Sequence, residues 1–307
     1  MKFGFYKYVI IKNKLLTVSE ILKVTQKEYK LSPFDAEILL SYALEKPREY
    51  LFAHPEKKLA QKQITRFNKL ARRRSKNEPI AYILKQKEFY GLDFFVDKQV
   101  LVPRPETEIL VEAALRRIMN YELGIRNFID LGTGSGNIII SVLKNMPANL
   151  RSKINFYASD ISGKALNVTK RNIKKYKMEK IINLKKSDLL DFVLENNLSL
   201  AGNTIITANL PYLDGKWRNL LESSDSKDLE SEPKIALEGG CDGLAVYREL
   251  AKQVRRLRAQ NTGSRMSILC EIGHSQKSGI KSIFSFVEKI KFHKDLAGRN
   301  RIAEIIL

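Results

Sequence analysis

At 307 residues, 44% of them hydrophobic and 29% charged, the chain is long enough for a large core and two domains, and its composition excludes a mostly disordered polymer. Only Cys241 and Cys270 are present, no Cys/His cluster has metal-ligand spacing, and Cys270 in the apolar run SILCEI reads as a packed thiol in a reducing compartment. The formal net charge of +20 either draws polyanions, such as RNA or a ribosome-associated partner, or reflects a lysine-rich composition spread over solvated helix faces; charge alone names no partner.

The first stretch, MKFGFYKYVIIKNKLL, is apolar but carries a lysine every few positions. Its longest uncharged run is too short for a secretory signal or a membrane span, so the expected location is cytoplasmic. Residues 1–87 read as a small helical bundle. SPFDAEILLSYAL places Phe34, Ile38 and Tyr42 at helical spacing, behind Ser32 as N-cap and Pro33 in the first turn. Residues 57–76 hold nine basic residues and no acidic one. There Leu59, Phe67, Leu70 and Ala71 form an apolar stripe that leaves Arg66, Lys69 and Arg73 facing outward. Residues 164–186 are nearly as basic.

EFYGLDFFVDKQVLV, at 88–102, is aromatic and β-branched around a glycine and reads as extended or hairpin structure. PRPETEILVEAALRRI then opens a helix, with Pro105 and two glutamates in its first turn, where the macrodipole favours them. From about residue 126 the strand-like runs NFIDL, INFYAS, IINLKK, TIITA, MSILCEI, KIKFH and RIAEIIL alternate with helical stretches that include 162–176 and 243–259. Such alternation predicts an α/β fold with a doubly wound, mainly parallel sheet. Only KDLAGRN separates the last two runs, too short for a crossover helix, so they are expected to pair as an antiparallel hairpin. The acidic stretch ESSDSKDLESE, at 222–232, reads as a mobile loop.

FIDLGTGSGNIII is a strand, a glycine-rich turn and the start of an apolar helix. Gly132, Gly134 and Gly136, with Thr133 and Ser135 between them, let the backbone turn sharply and admit a ligand against bare amides. Asn137 stands where a dinucleotide fingerprint wants a further glycine, and the Lys-Ser/Thr of a phosphate loop is missing. Asp130 precedes the turn. Asp160 ends the next strand, 28 residues after Gly132, where a carboxylate can accept hydrogen bonds from ribose hydroxyls. Asp188 and Leu189 follow the third strand and suit holding and flanking an adenine. Each aspartate taken singly could cap a helix. Their joint placement points to a nucleoside cofactor without a pyrophosphate.

The fourth strand delivers Asn209, Leu210, Pro211 and Tyr212. Here the chain resembles the class I S-adenosylmethionine-dependent methyltransferases that modify planar nitrogen groups, whose motif is Asn/Asp-Pro-Pro-Tyr/Phe. An amide or aryl amine nitrogen is a poor nucleophile because its lone pair is delocalised. Two acceptors, the Asn209 side-chain oxygen and the Leu210 carbonyl, would hold its hydrogens and face it toward a sulfonium methyl, with Tyr212 packed on the planar group. Positioning then supplies most of the catalysis, and the acceptors stabilise the positive charge that builds on nitrogen. Leu210 departs from the motif: its carbonyl remains and Pro211 still biases it toward extended backbone, but φ is unlocked and an extra N–H needs a partner.

FDAEILL (34–40), REYLFAHPE (48–56), RRRSKNEPIAYI (72–83), EFYGLDFFVDKQVLVPRPETEILVE (88–112), FIDLGTGSGNIII (128–140), NLPYL (209–213), EPKIALEGGCDGL (232–244) and LCEIGH (269–274) occur in order. Together they are similar to the release-factor glutamine methyltransferases, the HemK/PrmC family, from about residue 17 to the end. The resemblance implies an N-terminal helical substrate-docking domain (1–87), a β-hairpin linker (88–104) and a seven-stranded, Rossmann-like methyltransferase domain (105–307). It also implies methyl transfer from S-adenosylmethionine, without a metal, to the side-chain amide nitrogen of the glutamine in the Gly-Gly-Gln motif of peptide-chain release factors. The expected cofactor set is Asp130, Gly132, Thr133, Gly134, Ser135, Gly136, Asp160, Asp188, Leu189 and Asn209. The expected substrate set is Asn209 to Tyr212 with Arg104 and Glu106.

Two other functions fit parts of the pattern. A nucleic-acid adenine methyltransferase would share the Asn-x-Pro-Tyr grip and use the basic helix on phosphates, but no familiar nucleic-acid-recognition motif accompanies it. A non-catalytic cofactor-binding scaffold for RNA or ribosomes would treat Leu210 as a mark of lost activity. His54 reads as a loop residue, His274 as structural, His293 as a strand residue, and Trp217 as packed or lining the substrate entrance.

Overall fold

The computed structural model describes residues 16–120, 124–196, 198, 200–217, 224–260 and 265–307. The apolar N-terminal stretch up to residue 15 and the first two positions of the acidic stretch lie outside the described residues. The chain divides into two compact units after Leu84. Among the described residues no helix is long and apolar enough to cross a membrane.

The first unit contains the helices α1 (Val18–Tyr29), α2 (Pro33–Leu44), α3 (Arg48–Ala53), α4 (Gln61–Arg74) and α5 (Ile80–Leu84). Thr17 and Glu20 form a capping box at the start of α1, and the Ser32 hydroxyl accepts the Asp35 N–H ahead of Pro33 at the start of α2. Leu39, Leu40, Phe67 and Ala71 meet in the core of this unit. The Phe34, Ile38 and Tyr42 row is therefore not the packed face: Phe34 is 56% and Tyr42 39% exposed, while Ala36, Leu39, Leu40 and Ala43 are buried. Helix α2 is apolar nearly all round, so spacing alone does not choose a face, and the row of smaller side chains packs closer. The outer rings are covered by cations instead, Arg48 lying 4.5 Å from the Phe34 ring centre and Arg66 5.1 Å from that of Tyr42. Arg73 is also not turned outward. It pairs with Glu78 and donates to the Tyr82 and Ile83 carbonyls, because the chain folds back beside the carboxyl end of α4.

The second unit opens with a hairpin, β1 (Lys87–Phe89) and β2 (Leu92–Phe94), turned by Tyr90 and Gly91 at φ of 53° and 70°. A single 3-10 turn at Pro105–Thr107 leads into α6 (Glu108–Met119). The seven remaining strands, β3 (Ile125–Leu131), β4 (Asn155–Asp160), β5 (Ile182–Lys186), β6 (Asn203–Ala208), β7 (Met266–Glu271), β8 (Lys289–Lys294) and β9 (Asn300–Ile306), form one sheet. Around it lie α7 (Asn137–Asn145), α8 (Ala148–Arg151), α9 (Gly163–Lys175), α10 (Asp191–Leu194), α11 (Ala245–Gln260) and α12 (Lys277–Ile283).

The strand order is β5-β4-β3-β6-β7-β9-β8; β3 to β7 run parallel, and the closing pair β8 and β9 is an antiparallel hairpin. The chain thus winds outward from β3 in one direction and returns at β6 to wind in the other. A crevice opens at the carboxyl ends of β3 and β6, the point in such sheets where ligands bind. Leu131 and Ala208 are partners in register, so the residues that follow them, Gly132 and Asn209, emerge side by side. The acidic stretch is not a free loop over its described part: residues 224–231 form 3-10 turns and Glu232 is buried.

Candidate active site

The glycine-rich turn needs glycine for a physical reason. Gly132, Gly134 and Gly136 have φ of 61°, 56° and 79°, in the left-handed region. A Cβ on Gly136 would come within 2.9 Å of Thr169 Cγ2, so α7 could not start so close to α9. The turn is tied down from outside. Thr133 N–H donates to the Ser159 carbonyl at 2.9 Å, Thr169 Oγ1 to the Gly134 carbonyl at 2.8 Å, and Asn172 Nδ2 to the Ser135 carbonyl at 2.8 Å.

Asp130 sits behind this turn and does not line the crevice. It is fully buried, and its carboxylate accepts the Thr133 hydroxyl at 2.7 Å and the Thr207 hydroxyl at 2.8 Å, joining β3, the turn and β6. Burial pushes its pKa up to about 7, against the pull of the two hydroxyls. Asp160, at the end of β4, does line the crevice. Its oxygens accept the backbone N–H of Gly134 at 3.0 Å and of Ser162 at 2.9 Å, and burial raises its pKa. Each carboxylate oxygen keeps a lone pair for a hydroxyl. Beyond β5, Leu189 adopts φ of 47°, uncommon for a residue with a side chain. Gln253 of α11 secures that bend, accepting the Leu190 N–H at 2.7 Å and donating to the Asp191 carboxylate at 3.0 Å.

These strand ends enclose a cavity of about 380 Å³ whose lining includes Gly132 to Ser135, Asp160, Asp188, Leu189, Thr107 and Asn209 to Pro211. Its size falls in the range of small-molecule sites. Gly136 caps α7 just outside it. Leu210 is buried, and a Cβ on Gly132 would lie 3.4 Å from its Cδ2, so Leu210 closes the floor between the first glycine and β6.

The Asn-Leu-Pro-Tyr loop rests on partners that are distant in sequence. Asn209 Nδ2 donates to Thr107 Oγ1 at 3.1 Å, the Thr107 hydroxyl donates to Glu271 Oε2 at 2.6 Å, and the Tyr212 hydroxyl donates to Glu271 Oε1 at 3.1 Å. Burial, followed by the Glu271 charge, raises the Tyr212 pKa well above the usual phenol range. Burial raises Glu271, opposed by the two hydroxyls. Gln276 donates to the Tyr212 and Gly243 carbonyls, both at 3.0 Å, and Gly239 N–H donates to the Leu213 carbonyl at 2.8 Å. Gly239 and Gly243 press directly on the loop, since a Cβ on either would lie 2.5 Å from the Pro211 oxygen or 2.2 Å from the Tyr212 oxygen, respectively.

Of the 103–108 segment, Pro103 and Thr107 reach the cavity, while Arg104 and Glu106 do not. Arg104 pairs with buried Glu232, whose other oxygen accepts the Val102 N–H at 3.0 Å, and Glu106 is exposed. His274 is exposed, His293 pairs with Glu304 at 2.8 Å, and Trp217 is buried. Cys270 is fully buried and its thiol is pushed up to about 12; Cys241 is exposed. Among the described residues no group of three or more His, Cys, Asp or Glu side chains could hold a metal ion.

Comparison with known proteins gives the same reading from another direction. Residues 22–84 match the model of the PrmC N-terminal domain, and residues 108–218 that of the RMKL-like methyltransferase domain. The release factor glutamine methyltransferase of Clostridium acetobutylicum is 34% identical over 95% of this chain and 96% of its own length. The chain belongs to that family. The release factor glutamine methyltransferase of Caulobacter vibrioides is 30% identical, covering 87% of each chain. A bifunctional methyltransferase of Rickettsia bellii is 35% identical over 89% of this chain, which spans only 51% of that protein. Among solved structures, the hMettl16 catalytic domain in complex with MAT2A 3′UTR hairpin 6 superposes with a TM-score of 0.54 at 15% identity, covering 74% of this chain and 80% of that one. That likeness is one of fold.

Within the family frame, Thr107, Glu271, Glu232, Gln276, Gly239 and Gly243 are the supporting residues that motif reading passes over. Each lies inside a segment that carries the family resemblance, PRPETE, LCEIGH or EPKIALEGGCDGL, apart from Gln276 just beyond LCEIGH.

Proposed function

We propose that this member of the family transfers a methyl group from S-adenosylmethionine to the side-chain amide nitrogen of the glutamine in the Gly-Gly-Gln motif of a peptide-chain release factor. The observation that carries the reading is the emergence of Asn209 and Leu210 beside Gly132, on the wall of the same cavity that Asp160 and Leu189 line. The residues present fit the cofactor. The left-handed glycines let the backbone approach it without side chains, the Gly134 and Gly136 N–H groups being already held by Asp160 and the Thr133 carbonyl; Asp160 retains acceptor capacity for ribose hydroxyls, and Leu189 offers an apolar wall for adenine. Bound there, S-adenosylmethionine supplies an electrophilic methyl on a sulfonium.

The chain's own residues do the rest. Asn209 Oδ1 and the Leu210 carbonyl hold the two hydrogens of a carboxamide and fix its plane. Pro211 and Tyr212 carry the loop past that plane, and the Glu271, Gln276 and Gly239 contacts keep it still. As positive charge grows on the nitrogen, the two acceptors stabilise it; the methyl's bond to sulfur breaks to leave the neutral thioether, and the methylated nitrogen then releases one proton to water. The test is incubation with a release factor and labelled S-adenosylmethionine, followed by mass-spectrometric mapping. Label on the Gly-Gly-Gln glutamine supports the reading; active enzyme that labels nucleic acid or another protein residue instead rejects it.

A second contact is suggested by charge. Arg66, Arg73 and Arg74 of the first basic segment are neutralised by Glu45, Glu78 and Asp35. The nine basic residues between 164 and 186 form no ion pair among the described residues, and they lie exposed on α9, on its connection to β5 and on the edge strand β5. That face suits an accessory contact with RNA or the ribosome. RNA binding that weakens steeply with salt and with charge reversal at Lys170 and Lys174 supports it; binding unchanged by both removes it.

A further inference from the structure

Behind Asn209 the buried oxygens form a chain with one direction of donation. Thr107 and Glu271 are each only 1% exposed, so bulk water cannot substitute for either. The Tyr212 phenol keeps its proton and gives it to Glu271 Oε1 at 3.1 Å. Ionised, the Glu271 carboxylate is an acceptor only, so the single hydroxyl hydrogen of Thr107 goes to Oε2 at 2.6 Å. The Thr107 oxygen is then left with lone pairs. The group of Asn209 that faces it, 3.1 Å away, is therefore the NH2 end of the carboxamide. Asn209 Oδ1 accepts no hydrogen bond among the described residues and remains available to a ligand.

We propose that Thr107 and Glu271 are positioning residues that fix the polarity of the Asn209 carboxamide and so make the site select a glutamine amide over the isosteric glutamate carboxylate. This rests on the glutamine methyltransferase reading above. With its oxygen presented, Asn209 attracts an N–H and repels a carboxylate oxygen. Turned over, it would present two N–H donors and welcome the carboxylate. Discrimination between ligands of equal shape depends on which partner leaves a buried group unsatisfied. The signal is spread over three distant segments: Thr107 immediately precedes α6, Glu271 ends β7, and Asn209 follows β6, against both of which α6 packs.

The test uses the full-length enzyme and two release factors, one with its Gly-Gly-Gln glutamine and one with that glutamine replaced by glutamate. Affinity for each is measured with S-adenosylhomocysteine bound, and methyl transfer is measured on the first. The wild type is expected to prefer the glutamine form at least about tenfold, by the worth of one hydrogen bond to a charged or buried group. Thr107→Val, nearly isosteric, should reduce the preference to below about threefold and turnover by about 10–100-fold. Thr107→Ser, which keeps the hydroxyl, should restore both. Glu271→Gln, which brings an N–H of its own to one of the two hydroxyls, should weaken the preference in the same direction. Retention of the full preference by Thr107→Val and Glu271→Gln, with cofactor affinity near wild type to show that both fold, overturns the proposal even if turnover falls. Failure of the wild type to methylate the glutamine at all would instead overturn the reading on which it rests.

Discussion

The Asp160 carboxylate accepts the backbone N–H of Gly134 at 3.0 Å, joining the end of β4 to the turn that follows β3. The residue proposed to take the cofactor ribose is therefore also a brace for the turn that lines the same cavity. Asp160→Ala removes both functions and leaves the Gly134 and Ser162 N–H groups without their acceptor. Affinity for S-adenosylmethionine, measured by titration calorimetry, is expected to fall by at least about tenfold, since hydrogen bonds to a charged group contribute roughly 1.5–3 kcal/mol. An affinity within a factor of two of wild type would contradict this placement of the ribose.

Gly239→Ala places a methyl 2.5 Å from the Pro211 oxygen, and Gly243→Ala one 2.2 Å from the Tyr212 oxygen. Both obstacles are backbone, so the Asn-Leu-Pro-Tyr loop must move. Each substitution is expected to cost about 1–3 kcal/mol of stability, read as a lower urea midpoint, and to slow turnover well beyond what the loss of folded protein explains. Turnover per folded molecule equal to wild type would show that the loop tolerates displacement.

Asp130 gives a pH signature. Its folded-state pKa is pushed up to about 7, against an ordinary value of 3.8, so between these values the folded chain holds a proton that the unfolded chain has released. That contribution to stability is fully present below about 3.8 and is lost as pH rises through about 7. Asp130→Asn has no such proton. Whatever its absolute stability, its urea midpoint relative to wild type should rise from pH 4 and level off above about pH 7. A pH-independent difference would mean that Asp130 titrates normally.

The two thiols should separate cleanly. Cys241 is exposed, whereas Cys270 is fully buried with its pKa pushed up to about 12, which leaves almost no thiolate at neutral pH. Maleimide at pH 7.5 is expected to label Cys241 alone, with Cys270 reacting only after denaturation. Rapid labelling of Cys270 in the native enzyme would show that β7 opens.

The strands were legible because parallel strands buried on both faces read as continuous apolar runs, and the short KDLAGRN connection dictated the closing hairpin. The residues at the strand ends followed, since a doubly wound sheet gathers them at one edge: Asp160, Leu189 and Asn209 line one cavity. Asp130 was legible in position but not in contact. Being next to the turn says nothing about which way its side chain points, and it points into the protein. The Phe34, Ile38 and Tyr42 row misled because α2 is apolar on more than one face. Thr107 and Glu271 were hidden for a different reason. Their contact spans 164 positions and depends on how α6 docks against β7, which no local pattern records. Arg104 enters the expected substrate set through the family resemblance, yet its partner Glu232 lies 128 positions away in a stretch whose serines suggest a loose loop.

The proposed clasp of Asn209 on a planar nitrogen is tested most directly by the Asn209→Ala enzyme, comparing its rate of methyl transfer to the release-factor glutamine with its affinity for S-adenosylmethionine. Loss of one acceptor made in the transition state should slow transfer by about 10²–10³, roughly 2.7–4 kcal/mol by analogy with a lost oxyanion-hole donor, while cofactor affinity stays within about threefold of wild type. Equal losses of rate and affinity, or no loss of rate, would place Asn209 in the framework of the protein rather than on its substrate.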